Sequence, residues 1–211
     1  MTPSPPLVAA LACVLTAAPL AAQSPSQLEL GVFEETNLAR TNPAAYAEYL
    51  EPMLRWFDGD VIRRPGSDFG IRTREGRAAV REAIRFLRRR EPVPPLRWST
   101  GLWQAARDHA RDQGAAGATG HGGSDGSTME RRMNRYGQWR GSAAENIEYG
   151  SDEARMVVIS LIVDDGVAGR GHRNNIFDPM LGVAGVGCGP HRVSRHVCVI
   201  DYAGRFEDRE P

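Results

Sequence analysis

Two short apolar segments near the C-terminus, each with one cysteine, most constrain what this chain can fold into. Residues 181–188 (LGVAGVGC) and 196–204 (HVCVIDYAG) enclose turn-forming residues, a pattern that predicts a β-hairpin. Cys188 and Cys198 would lie near its turn, where a disulfide would stabilise the hairpin by about 2 to 3 kcal/mol. The alternative is a pair of buried free thiols.

The earlier part of the chain is patterned mainly as helices. Asn42 and Pro43 suit the first turn of a helix. Residues 74–90 place apolar side chains on one face and arginines on the others, which predicts an amphipathic helix. An apolar helix is predicted over 154–163, and glycines, prolines and aspartates predict a loop over 57–70. The chain is thus predicted to be helix-rich first and strand-rich last.

A further helix is predicted from Thr100 to Gln113, where Gly114 would end it. His109 lies on its inner face beside Leu102 and several alanines. A histidine on an apolar helix face is more often packed and hydrogen-bonded than a ligand. We therefore expect a structural role for His109, with ligation as the alternative.

Charge and length limit the class of protein. The 211 residues include 26 basic residues, all arginine, and 26 acidic residues, so the net charge is zero. No global field would attract nucleic acid, which we do not expect as a partner. We expect one globular domain over residues 23–211, acting as a monomer.

The first 22 residues carry no charged side chain, and an apolar run over residues 7–22 ends in small residues. This pattern predicts a secretory signal cleaved after Ala22, and the run is too short for a membrane span. The mature chain would be secreted or periplasmic, where a disulfide can persist. Cys13 follows ALA, so a lipoprotein anchor is the alternative.

Side chains with strong chemistry lie in or beside glycine-containing loops. His121 lies in the glycine-rich segment 114–127, for which we expect no regular structure, and His172 lies in GRGHRNNIFD. Glu145 precedes Asn146, and Asp164 ends the apolar helix. Two histidines with carboxylates could form a zinc site or an acid–base pair. Their spacing alone does not show that they converge.

The motifs, in order, resemble those of the CAP superfamily (SCP-like proteins), which includes cysteine-rich secretory proteins, venom antigens and plant pathogenesis-related proteins. The resemblance is to the bacterial branch and covers nearly all of the mature chain. It is carried by NLARTNPAAYAEYL, PLRWSTGLWQAARDHARDQG, TGHGGSDGS, AAENIEYG and DDGVAGRGHRNNIFDP. The resemblance implies an α+β fold, a three-layer α-β-α sandwich around a small antiparallel sheet.

The family's cleft carries two histidines and two glutamates. The resemblance implies that His121, Glu145 and His172 fill three of these positions. Asp164 would replace the second glutamate and, being one methylene shorter, would act through water; adjacent Asp165 competes for this role. His121 and His172 would be the main ligands of Zn²⁺ or another divalent cation, with Glu145 and Asp164 nearby. A purely structural His172 is the alternative.

The resemblance leaves the activity open. An exported binding module would hold a metal and a lipid, peptide or protein partner in the cleft. The alternative is a metal-dependent hydrolase acting on peptides or esters, with Glu145 as general base and His121 and His172 as its other catalytic residues. A serine hydrolase is suggested by GGSDG around Ser124, but no strand is predicted before it.

Overall fold

The computed structural model describes residues 24–209, so the predicted signal and Cys13 lie outside the described residues. Its helices are α1 Gln27–Thr41, α2 Pro43–Tyr46, α3 Arg77–Arg89, α4 Thr100–Ala116, α5 Met129–Tyr136, α6 Ala154–Val163 and α7 Gly171–Ile176. Its strands are β1 Phe57–Asp58, β2 Val61–Ile62, β3 Ile71–Arg72, β4 Arg97–Trp98, β5 Gly137–Tyr149, β6 Val183–His191 and β7 Arg195–Asp208. Within residues 24–209, no helix has the length and apolar character needed to cross a membrane.

The main sheet has the strand order β4-β6-β7-β5. The predicted hairpin is confirmed as β6 and β7, and the predicted disulfide joins Cys188 to Cys198. β5 pairs antiparallel with β7 and forms one edge, whereas the short β4 runs parallel to β6. Between Arg140 and Ala143, two residues of β5 lie opposite a single residue of β7, which makes a β-bulge.

Helices cover both faces of this sheet, so the predicted α-β-α sandwich is confirmed. α4 and α5 pack on one face, while α1, α6 and α7 pack on the other. The larger apolar core lies on the α1 and α6 side, and two smaller clusters lie under α4 and α5. α1 was not predicted, although Ser26 and Glu29 form a capping box at its start.

The prediction that Gly114 ends the helix that begins at Thr100 is wrong. α4 continues to Ala116, so 114–127 does contain regular structure, and Gly117 ends the helix in the left-handed conformation. Position 114 requires glycine even inside the helix, because a Cβ there would collide with the carbonyl of Pro190. Position 187 of β6 requires glycine for a similar reason, because a Cβ there would collide with the backbone of α4. These contacts place α4 directly on the sheet.

The prediction of a loop over 57–70 is also wrong. β1, β2 and β3 form a second, antiparallel sheet, in which Phe57 pairs with Ile62 and Val61 with Arg72. The β-branched residues Val61, Ile62 and Ile71 favour strands, but strands of two residues are too short to give a period. The other predictions agree better: 74–90 corresponds to α3 and 154–163 to α6, while Asn42 precedes only the short α2.

Candidate functional site

His121 lies in the segment 117–128 that joins α4 to α5, and hydrogen bonds give this glycine-rich segment a fixed shape. His109 is fully buried, as expected, and its Nε2 donates to the carbonyl of Gly120 at 3.0 Å. The N–H of Gly120 donates to the hydroxyl of Tyr149 at 2.9 Å. The Nη1 of Arg132 donates to the carbonyl oxygens of His121 (3.1 Å) and Ser127 (3.2 Å). These bonds hold the backbone around His121 in place.

His121 and Glu145 form a hydrogen-bonded pair. The ring Nδ1 lies 2.8 Å from Glu145 Oε1, and Arg132 Nη2 donates to Glu145 Oε2 at 2.6 Å. The side chains of Glu145 and Arg132 are 2% exposed, whereas that of His121 is 59% exposed. The hydrogen bond to Glu145 raises the pKa of His121 against the effect of burial. Burial alone would raise the pKa of Glu145, but the His121 hydrogen bond and the Arg132 charge outweigh it and lower the pKa.

A second carboxyl lies beneath this pair. Asp201 of β7 is opposite Glu145 in the strand register and is fully buried. Neither of its oxygens has a hydrogen-bond partner in the described part of the chain. Burial and the nearby Glu145 charge raise the pKa of Asp201 well above its usual value. Burial and the adjacent Glu145 thus both disfavour the ionised form of Asp201.

His172 and Asp164 form a similar pair on other elements. Asp164 ends α6 in the left-handed conformation, and its Oδ1 lies 2.7 Å from the Nδ1 of His172. Its Oδ2 accepts the backbone N–H of His172 at 3.0 Å. The two side chains are thus in direct contact. Asp165 instead accepts the backbone N–H groups of Arg74 and Glu75, at 2.6 and 2.8 Å.

Neighbouring residues of β5 support the two pairs. Successive side chains of a strand point to opposite faces of the sheet. Glu145 contacts His121 beside α5, while the Nδ2 of Asn146 donates to the backbone carbonyl of His172 in α7 at 2.9 Å. The structure thus brings the four predicted residues together as two pairs, and the two histidines line separate cavities. Among residues 24–209, no group of three or more His, Cys, Asp or Glu side chains is placed to hold a metal ion.

The cavity beside His172 has a volume of about 370 Å³ and lies between α6 and the β1–β3 sheet. Its lining includes Met53, Phe57, Ile62, Ile71, Met156 and Ile159. Its polar lining residues include Asp164, His172 and Glu148. Burial raises the pKa of Glu148 to about 7. The cavity beside His121, of about 450 Å³, lies between the glycine-rich segment and the start of α5.

Ser124 does not have the surroundings of a nucleophile elbow. The residues before it belong to α4 and to the glycine-rich segment, with no strand between them in the described chain. Its backbone N–H and its hydroxyl both donate to the carboxylate of Asp112. Asp112 therefore fixes Ser124 as part of the segment's structure.

A family model described as CAP, the cysteine-rich secretory protein family, matches residues 81–202. The chain belongs to the CAP family. The matched residues include His121, Glu145, Asp164 and His172, whereas the β1–β3 sheet precedes them. The fold and the family inferred from the sequence motifs are thus both confirmed. A search of curated protein sequences finds no match.

Two solved structures resemble this CAP domain at 18% sequence identity. An extracellular protein containing an SCP domain from Bacillus anthracis strain Ames matches 60% of this chain with a TM-score of 0.43. The chain covers only 39% of that protein's chain. An outer surface protein of Borrelia burgdorferi matches 54% of this chain with a TM-score of 0.46, and 80% of that chain is covered.

Three buried residues of the CAP domain were not predicted from the sequence. Arg132 and Asn146 hold the two pairs in place, and Glu148 lines the cavity beside His172. Asn146 and Glu148 follow Glu145 so closely that the alternation of a strand could have assigned them to the opposite face. Arg132 lies in a helix with several other arginines, and no local pattern distinguishes it.

Proposed function

We propose that this CAP domain binds an apolar ligand in the cavity beside His172. The observation that supports this proposal is a concave, mainly apolar lining that includes a few polar side chains, which is the usual composition of a small-molecule site. The His172–Asp164 pair would contact the polar end of the ligand, while α6 and the β1–β3 sheet would cover its body. A lipid or an apolar peptide side chain has this chemistry.

The experiment compares two matched variants. Met156→Trp fills the cavity beside His172, whereas Met129→Trp adds the same volume beside His121. We expect Met156→Trp to reduce the binding of decanol by about tenfold or more, since it removes the space for the alkyl chain. Met129→Trp should bind decanol like the wild-type chain. Calorimetry measures both; equal binding by all three proteins would contradict the proposal.

A divalent metal ion remains a second proposal. Each histidine donates its Nδ1–H to a carboxylate, the arrangement that orients metal-binding imidazoles, so Nε2 would be the ligand atom. Glu145 and Asp164 would then orient the rings. The donor chemistry fits zinc, although no group of three such donors is placed to hold an ion among residues 24–209. We propose no step of ligand binding that depends on the ion.

Zinc titration by calorimetry at neutral pH tests this second proposal. His121→Ala and His172→Ala should each lower the affinity, and binding should weaken as the pH falls through the raised pKa of His121 and its imidazole becomes protonated. His196→Ala is the control, because this partly exposed histidine lies near Asp152 and lines neither cavity. Equal binding by the His121→Ala/His172→Ala double variant would contradict the proposal.

The hydrolase alternative has no specific observation in its favour. Both oxygens of Glu145 already accept hydrogen bonds, one from His121 and one from Arg132. In this arrangement Glu145 orients His121 rather than contacting a substrate water. We also propose that the chain is exported, because the apolar N-terminus has the pattern of a secretory signal and the Cys188–Cys198 disulfide suits an oxidising compartment.

A further inference from the structure

Glu148 is a buried carboxyl without a counter-charge. Its side chain lines the apolar cavity beside His172, and the residue is 8% exposed. In the described chain it makes one hydrogen bond, in which the backbone N–H of Ser151 donates to Oε2 at 3.3 Å. No described arginine or histidine forms an ion pair with it, and its other oxygen, Oε1, accepts no hydrogen bond within residues 24–209.

The other charged groups around the cavity already have partners: Asp164 with His172, Asp165 with the backbone at 74–75, and Arg72 with Asp60. The buried Glu29 of α1 also has a partner, because it accepts the backbone N–H of Cys188 in β6. Glu148 is therefore the charge at this cavity that a ligand could still neutralise.

We propose that Glu148 binds the head group of the cavity's ligand and that this ligand is an apolar amine. Its ammonium would donate to Oε1 of Glu148, and its apolar body would pack against α6 and the β1–β3 sheet. The inference rests on the proposed function of this cavity. A buried charge is costly in free energy unless it is paired with an opposite charge. An ammonium and the Glu148 carboxylate would each provide that opposite charge for the other. A carboxylate ligand would place a further negative charge beside three acidic residues.

Binding should therefore depend on pH. Because burial raises the pKa of Glu148 to about 7, much of the free protein carries a neutral carboxyl at neutral pH. This carboxyl must lose its proton to pair with an ammonium, so affinity for the amine should rise with pH and level off above about 7. Below that, affinity should fall about tenfold per pH unit. His172 also lines the cavity, so the comparison needs a variant that keeps His172.

The test uses decylammonium, decanol and decanoate as probes, with calorimetry between pH 5 and 8.5. At pH 8 we expect the wild-type chain to bind decylammonium about tenfold or more tightly than decanol, as a charge-assisted hydrogen bond would give. Glu148→Gln should bind decylammonium and decanol alike and lose the pH dependence of amine binding. Glu91→Gln, at an exposed glutamate, should behave like the wild-type chain.

The outcomes separate this inference from the proposed function. If the wild-type chain binds decanol or decanoate as tightly as decylammonium, or if Glu148→Gln keeps the preference, the amine proposal is wrong while the cavity still binds a ligand. If none of the probes binds, the proposed function and the amine proposal are both wrong. Circular dichroism checks the folding of Glu148→Gln, and Glu148→Ala serves as a second variant if that protein is not folded.

Discussion

The two histidine–carboxylate pairs have nearly the same geometry but are built in different ways. In each pair the ring Nδ1 lies 2.7 to 2.8 Å from a carboxylate that is 2% exposed. His121 belongs to a segment without regular structure, and the buried Arg132 fixes both its carbonyl and its partner Glu145. His172 lies in the first turn of α7, where Asp164 accepts both its ring and its backbone N–H. The first pair thus depends on a buried cation, and the second on backbone geometry.

Replacing Arg132 should show the largest difference between the pairs. Arg132→Met leaves Glu145 buried without a cation, so we expect a loss of about 3 to 5 kcal/mol in the free energy of unfolding, measured with urea. Arg135→Met is the matched control on the same helix; its ion pairs with Asp108 and Asp125 are partly exposed, so it should cost less than about 1 kcal/mol. A loss below 1 kcal/mol for Arg132→Met would show that the first pair does not depend on this cation.

Replacing Asn146 should affect the second pair alone. Asn146→Ala removes the donor to the carbonyl of His172 from a fully buried position, and we expect a loss of about 1 to 3 kcal/mol. In NMR spectra the ring signals of His172 should shift while those of His121 keep their positions. Asn174→Ala is the control, because Asn174 is exposed and its side chain donates to the carbonyl of Gly169. If both histidines shift together, the pairs are coupled through β5.

The smallest expected effect is the pH dependence of the His121 pair. A histidine pKa raised in the folded state stabilises the protein fully below about pH 6.5, and this stabilisation is lost as pH rises through the raised value. Because His121 is largely exposed, the change should be only a few tenths of a kcal/mol. Unfolding of the wild-type chain and His121→Gln at pH 5.5 and 8.5 measures it.

An NMR titration gives a more sensitive measurement of the same pair. In Glu145→Gln the titration midpoint of His121 should move down toward about 6.5, since the amide keeps the shape but loses the charge. An unchanged midpoint would mean that Glu145 does not set the pKa of His121.

The sequence predicted the elements that have a long, clear period and could not predict those without one. α3 and α6 have regular apolar patterns, and the apolar segments around Cys188 and Cys198 predict the hairpin. β5 was missed because its first half, GQWRGS, contains glycines and polar residues and lies at the edge of the sheet. The four site residues followed from the family resemblance. Their division into two pairs depends on the face to which each side chain of β5 points, which only the strand register defines.

The β-bulge in β5 has a consequence for how related chains can differ in length. Paired residues on both sides of a bulge keep their faces, so one residue can be lost between Arg140 and Ala143 while Glu145 and Asn146 still point to opposite sides. Residues 144–149 pair with β7 without a bulge, so an insertion there would shift the strand register and turn one of these two residues to the wrong face of the sheet. In an alignment of homologues, gaps should therefore collect at 141–142, and the six positions that follow Ala143 should form an ungapped block.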